Sequence, residues 1–170
     1  MRIIVSDSSC LIDLRKASFL EAFLGLPYEI IIPDTLYEEE LLKFSQDEKD
    51  TLIQCGLKVV ELPGAGVRRA QYIQSNFPTL SIHDCFAFAL AEQTPQSILL
   101  TADGRLRSIA TEHNIEVHGI LWVIDEMHKA STTTIDKIIN ALKLFETNPA
   151  IFRLPTRELR SYIKHYRSIS

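Results

Sequence analysis

Four acidic residues, Asp7, Glu39, Asp84 and Asp103, stand where carboxylates can hold a metal ion. Asp7 follows the run Ile3-Ile4-Val5, Glu39 lies beyond Ile30-Ile31-Ile32, and Asp103 closely follows Ile98-Leu99-Leu100. Asp84 falls in the first turn of a helix expected to lead into that last run. Open parallel sheets bind ligands outside the carboxyl ends of their strands, so the four acids are expected at one edge. Carboxylates gathered there oppose one another's ionisation unless a cation sits between them. A hard divalent ion such as magnesium, which takes oxygen ligands and keeps several waters, suits that set.

Each acid also has an ordinary local use. Ser81-Ile82-His83-Asp84 is a capping-box pattern with Asp in the place of Glu or Gln. Asp103 reads equally as a helix N-cap, and Asp7 as a turn-former before Ser8-Ser9. Glu39 belongs to the run Glu38-Glu39-Glu40, most of which must face solvent, so the register of the inward glutamate stays open among the three. His83, beside Asp84 in a first helical turn, is expected to be exposed.

The elements that must position these residues are short β-branched runs at Ile3 to Val5, Ile30 to Ile32, Lys58 to Leu62, Ile98 to Leu100 and Glu116 to His118, separated by helical patterns. That alternation predicts an α/β domain with a mostly parallel sheet. Leu11, Leu14, Leu20, Phe23 and Leu24 suit one or two short helices ending near Gly25 and Pro27. Asp34 is expected to cap a helix with Tyr37, Leu41 and Phe44 on one face. A clearer helix runs from Ser81 to Gln93, another follows Asp103 with Leu106, Ile109 and Ala110 inward, and a short one carries Leu121, Val123, Ile124 and Met127. Beyond the break at Ser131-Thr132-Thr133-Thr134, one amphipathic helix carries Ile135, Ile138, Ile139, Leu142 and Phe145, and a second carries Leu159, Tyr162, Ile163 and Tyr166. These two read as an extension, residues 129–170, of a sheet domain at 1–128, packing on the core or on a partner. The first stripe is wider than a surface helix leaves exposed, which predicts a homodimer.

A net charge of -4 excludes a broadly basic nucleic-acid binder, so cationic contacts must be local. The C-terminus supplies one such patch, with Arg153, Arg157, Arg160, Lys164 and Arg167 against the single acid Glu158. Arg68, Arg69, Arg105 and Arg107 are further candidates for phosphate contacts. Cys10, Cys55 and Cys85 show no zinc-type spacing and read as reduced, buried thiols. No apolar run approaches the length of a membrane span or signal peptide, so a cytoplasmic chain is expected.

Four segments in order resemble the PIN-domain family: Ile4-Val5-Ser6-Asp7-Ser8-Ser9, Ile32-Pro33-Asp34-Thr35-Leu36-Tyr37-Glu38-Glu39, Leu80-Ser81-Ile82-His83-Asp84-Cys85-Phe86-Ala87 and Leu100-Thr101-Ala102-Asp103. The resemblance covers residues 1 to 128. It implies a three-layer α/β/α sandwich and, in most members, magnesium- or manganese-dependent cleavage of single-stranded RNA, often as the toxin half of a toxin–antitoxin pair. It carries over Asp7, Glu39, Asp84 and Asp103 as catalytic metal ligands, with Glu39 the helix glutamate six residues beyond Pro33. Ser8 and Thr101 carry over as supporting hydroxyls. The tail from Thr132 resembles the extension of a subgroup of small prokaryotic PIN proteins, which implies a protein partner such as an antitoxin. One rival, a phosphoaspartate phosphatase or receiver, lacks its second acid: Ser9 stands two residues after Asp7, and no acidic pair adjoins it. The other rival, an inactive PIN-fold module for binding or dimerisation, is opposed by the filling of all four acidic positions.

Overall fold

Every β-branched run forms a strand of one sheet in the structure, a computed structural model that describes residues 1–170. The strands are β1 (Ile3–Ser6), β2 (Glu29–Pro33), β3 (Lys58–Val60), β4 (Ile98–Leu100) and β5 (Glu116–His118). They lie in the order β3-β2-β1-β4-β5 and all pairs are parallel. Ile4, Val5, Leu99 and Leu100 are wholly buried because helices cover both faces of the central strands. Lys58 and Glu116, on the edge strands, are exposed.

The chain builds outward from β1 through β2 to β3, then crosses back to place β4 on the other side of β1. Connections therefore leave β1 and β4 in opposite directions, and the crevice between their carboxyl ends is the topological switch point. Right-handed crossovers put α1 (Ser8–Lys16), α2 (Leu20–Leu24), α3 (Asp34–Glu39) and α4 (Gln46–Gln54) over one face. By the same rule α5 (Gly64–Asn76), α6 (Ile82–Gln93) and α7 (Gly104–Glu112) cover the other. The result is the three-layer α/β/α sandwich, with a wholly parallel sheet.

Helix α6 packs across β1, β2 and β4 beneath α5 and is apolar nearly all round. Small residues make that double contact close: Ala87, Ala89 and Ala91 on α6, Gly66 and Ala70 on α5. A Cβ at Gly66 would lie 3.1 Å from Gln93 Oε1 at the end of α6, and 2.7 Å from Leu62 Cγ in the segment before α5.

Three local expectations change. The helix after Pro33 ends at Glu39 instead of running on to Phe44. Leu36 and Leu41 are both fully buried, yet five residues on a helix of about 100° per residue separate two side chains by about 140°. Breaking the helix at Glu40 brings both inward. Helices α4 and α5 had no apolar stripe to reveal them. Leu52 is the only buried residue of α4, whose mark is the Ser45–Glu48 capping box, and α5 buries Gly66, Ala70 and Ile73. Cys10 and Cys85 are buried free thiols as expected, but Cys55 is exposed.

Beyond β5 come α8 (Ile120–Lys129), α9 (Ile135–Thr147), α10 (Pro149–Phe152) and α11 (Thr156–Ser168). Ile138, Leu142 and Phe145 of α9 and Leu159, Ile163 and Tyr166 of α11 join the same buried cluster as the sheet. The stripe thought too wide to leave exposed is covered inside its own chain, and the argument it gave for a homodimer falls away.

Asp125 on α8 accepts hydrogen bonds from Tyr162 Oη at 2.7 Å and Tyr166 Oη at 2.6 Å, clamping α11 to the domain. Burial and this carboxylate hold both phenols well above the ordinary tyrosine range. We expect Asp125→Ala to leave the buried Tyr166 hydroxyl unpaired and to cost about 2–4 kcal/mol in urea unfolding. A change below about 0.5 kcal/mol would show that the clamp contributes nothing.

Candidate active site

Asp7 sits at the switch point. Its backbone N–H donates to Leu100 O at 2.8 Å, continuing the β1–β4 ladder one residue past the strand. It stands at the N-cap position of α1 but makes no capping bond with its side chain, which is 2% exposed. Instead Asp7 Oδ2 accepts from Thr101 Oγ1 at 2.8 Å and Ser9 Oγ at 3.0 Å. Both hydroxyls accept in turn from β4's continuation: Thr101 Oγ1 from Asp103 N and Ser9 Oγ from Ala102 N, each at 3.0 Å. Two hydroxyls thus fix Asp7 relative to Asp103. Thr101 and Ser9, the second of which the sequence did not single out, thus meet Asp7, whereas Ser8 meets Glu40.

The local uses of the other acids are also real. Asp103 Oδ1 caps α7, accepting from Arg105 N at 2.8 Å and Leu106 N at 3.1 Å. Asp84 and Ser81 form the capping box at the start of α6, with Asp84 Oδ2 accepting from Ser81 N at 3.0 Å. Each cap uses one carboxylate oxygen. Asp7 Oδ1, Asp84 Oδ1 and Asp103 Oδ2 have no hydrogen-bond partner in the protein.

The glutamate run resolves into two different surroundings. Ser8 Oγ donates to Glu40 Oε1 at 2.6 Å, which brings Glu40 beside Asp7. Glu39, whose side chain is 58% exposed against 30% for Glu40, lies 2.7 Å from His83 Nε2. His83 Nδ1 is 3.8 Å from Glu40 Oε2. His83 is therefore not the freely exposed residue expected, but a half-buried tie between α6 and α3. The break after Glu39 turns Glu40, not Glu39, toward Asp7.

No lysine or arginine pairs with Asp7, Asp84, Asp103 or Glu40. Burial pushes the Asp7 carboxyl up to about 7 despite the Thr101 and Ser9 hydrogen bonds, and the Asp84 and Glu40 charges add to the effect. Burial likewise raises Asp84, with the Asp103 charge adding to it. In their present orientations no three of these groups stand close enough to hold one ion. Their chemistry nevertheless fits a hard divalent cation: the donors are oxygens, uncompensated by any lysine or arginine, and three have a free oxygen each.

The expected basic contacts divide. Arg105 Nη1 donates to Thr79 O at 3.3 Å, and Arg69 is bound to Glu92 at 2.8 Å. Arg107 is half-buried and has no side-chain hydrogen bond or ion pair. Arg157 is exposed on α11. Arg160, Lys164 and Arg167 line a groove with Glu146, Ile163 and Ser168. At about 100° per residue, that flank of α11 lies opposite the one bearing Glu158 and Tyr162.

A protein-family profile described as a PIN domain matches residues 3–167, the C-terminal helices included. No curated protein matches the chain.

Proposed function

Since the chain belongs to the PIN-domain family, a family generally of nucleases, we propose that it is a magnesium- or manganese-dependent endoribonuclease acting on single-stranded RNA. The observation that carries this reading is the set of carboxylates at the switch point, drawn from four separate segments and paired with no lysine or arginine. Asp7 and Asp103 would be the central metal ligands through Asp7 Oδ1 and Asp103 Oδ2, with Glu40 completing the set and Asp84 orienting the attacking water. A bound divalent ion would supply an activated water and a charge to stabilise the leaving oxygen.

The protein's own groups do the remaining work. Thr101 and Ser9 hold Asp7 Oδ2 and so aim its other oxygen outward. The α7 cap does the same for Asp103. Asp84, raised by burial, has one uncommitted oxygen with which to accept the proton of the attacking water. A single strand suits the crevice better than a duplex because its backbone can bend toward recessed carboxylates and its bases are free to stack.

The activity would be cytoplasmic, and the resemblance supports its being the toxin half of a toxin–antitoxin pair. Antitoxin docking would fall on the helices after residue 128, an extension of the nuclease domain at 1–128. No helix is long and apolar enough to cross a membrane. Incubating the pure protein with end-labelled RNA should give cleavage with magnesium or manganese, none with a chelator, and slower cleavage of a duplex of the same sequence. Intact RNA with either metal would overturn the proposal.

A further inference from the structure

A cavity of about 310 Å³ opens beside the switch point, between the turn that joins β5 to α8 and the start of α11. Its lining includes Arg107, His118, Gly119, Trp122, Glu158 and Tyr162. We propose that it binds one nucleotide of the substrate strand, with Arg107 taking a phosphate and the His118–Trp122 pair and Tyr162 flanking the base. This inference rests on the ribonuclease reading and names where that substrate is recognised.

Position is the first argument. Thr101, which donates its hydroxyl to Asp7, also donates its N–H to His118 O at 3.1 Å. A Cβ on Gly119 would lie 3.6 Å from Thr101 O. The cavity floor therefore rests directly on the residue that orients Asp7. Arg107 N donates to Asp103 O at 3.0 Å, so Arg107 is one helical turn from the second central carboxylate. A strand with a phosphate at the carboxylates would reach the cavity with a neighbouring unit.

The lining supplies the second. A half-buried guanidinium has lost part of its hydration, and Arg107 recovers none of it from a carboxylate or carbonyl of the protein. Arginine in that condition is suited to a planar anion such as phosphate. Gly119 makes room for it: a Cβ there would come within 3.0 Å of Arg107 Nη1. The rings of His118 and Trp122 are already stacked, with centroids 4.4 Å apart and planes 6° apart, and Tyr28 leans on Trp122 at 5.9 Å. Tyr162 is fixed by its bond to Asp125. Rigid aromatic walls lose little freedom when a base packs on them.

Size and polarity narrow the ligand. Small-molecule pockets span roughly 300–1,000 Å³, so this cavity accepts a single nucleoside unit and no duplex. Glu158, exposed at the rim, offers an acceptor to a base with an exocyclic amine. Adenine, guanine and cytosine carry one and uracil does not. The proposal also gives α11 a part in substrate recognition, through Glu158 and Tyr162.

Trp122 is the only tryptophan in the chain, so its fluorescence reports on this cavity alone. The test uses Asp7→Asn protein with magnesium and fluorescein-labelled single-stranded RNA, following anisotropy for binding and Trp122 emission for occupancy. Both signals should saturate together. Adding Arg107→Gln should weaken binding on the order of tenfold and suppress the emission change. In the protein with Asp7 intact, Arg107→Gln should raise KM by a similar factor while kcat stays within about threefold. Glu158→Ala should erase discrimination against uracil at one position beside the cleaved bond. RNA that binds by anisotropy while Trp122 emission stays constant would overturn the subsite and leave the ribonuclease reading standing. If RNA is neither bound nor cleaved, both readings fall. Quenching by adenosine 5′-monophosphate but not by RNA would assign the cavity to a free nucleotide and likewise overturn the substrate subsite.

Discussion

Asp7→Asn should abolish cleavage while making the metal-free protein more stable. On the activity side, losing a charged ligand at the reacting centre removes about 4 kcal/mol of transition-state stabilisation, a factor of roughly 10³. On the stability side, the buried Asp7 carboxyl sits at about 7 in the folded protein, against about 3.9 in an unfolded chain. The folded state thus holds its proton more tightly. That contribution to stability is fully present below about pH 4 and is lost as pH rises toward 7, and the ionised group then costs on the order of 4 kcal/mol. Asparagine never ionises and escapes that cost. In a chain of this length, 1 kcal/mol moves the midpoint by about 2–4 °C, so Asp7→Asn should melt roughly 8–16 °C higher at pH 8 in chelator. The gap should narrow as the pH falls and close near about pH 4. Adding magnesium should stabilise the wild type and leave Asp7→Asn nearly unmoved. Wild-type cleavage, or a gap that does not change with pH, would remove Asp7 from the centre of the site.

Glu40→Gln should cost about 10²-fold in cleavage, and Glu39→Gln no more than about fivefold. The difference follows from the break after Glu39, which hands Glu40 to Ser8 and leaves Glu39 to His83. Calorimetric titration with manganese should show weaker binding in Glu40→Gln only. The opposite ranking would return the ligand role to Glu39, the residue that the family resemblance carried over.

That glutamate marks how far the sequence alone can be read. The strands were legible because the central ones are buried on both faces and read as unbroken apolar runs, and the aspartates because each directly follows a strand or opens a helix. Glu40 was not, because its place depends on a helix that stops early to bury both Leu36 and Leu41. Such a compromise between two burial demands leaves no periodic trace. Helix α5 was hidden for a related reason: Gly66 and Ala70 are small to admit α6, and in sequence small residues read as loop. Ser9 carried a faint signal as the second of two serines after Asp7, but which of the pair would face Thr101 is set by the turn into α1. The cavity beside the switch point joins residues of α7, β5, α8 and α11, and no local pattern links them.

The bond between Asp7 and Thr101 spans 94 residues of chain. At the ~5–20 residues per second of protein synthesis, Thr101 is made about 5–20 s after Asp7. Through that interval the first strand lacks the neighbour that completes the switch point. A nascent chain on the ribosome therefore carries its acids scattered, and they are gathered at one edge only when the second half of the chain arrives.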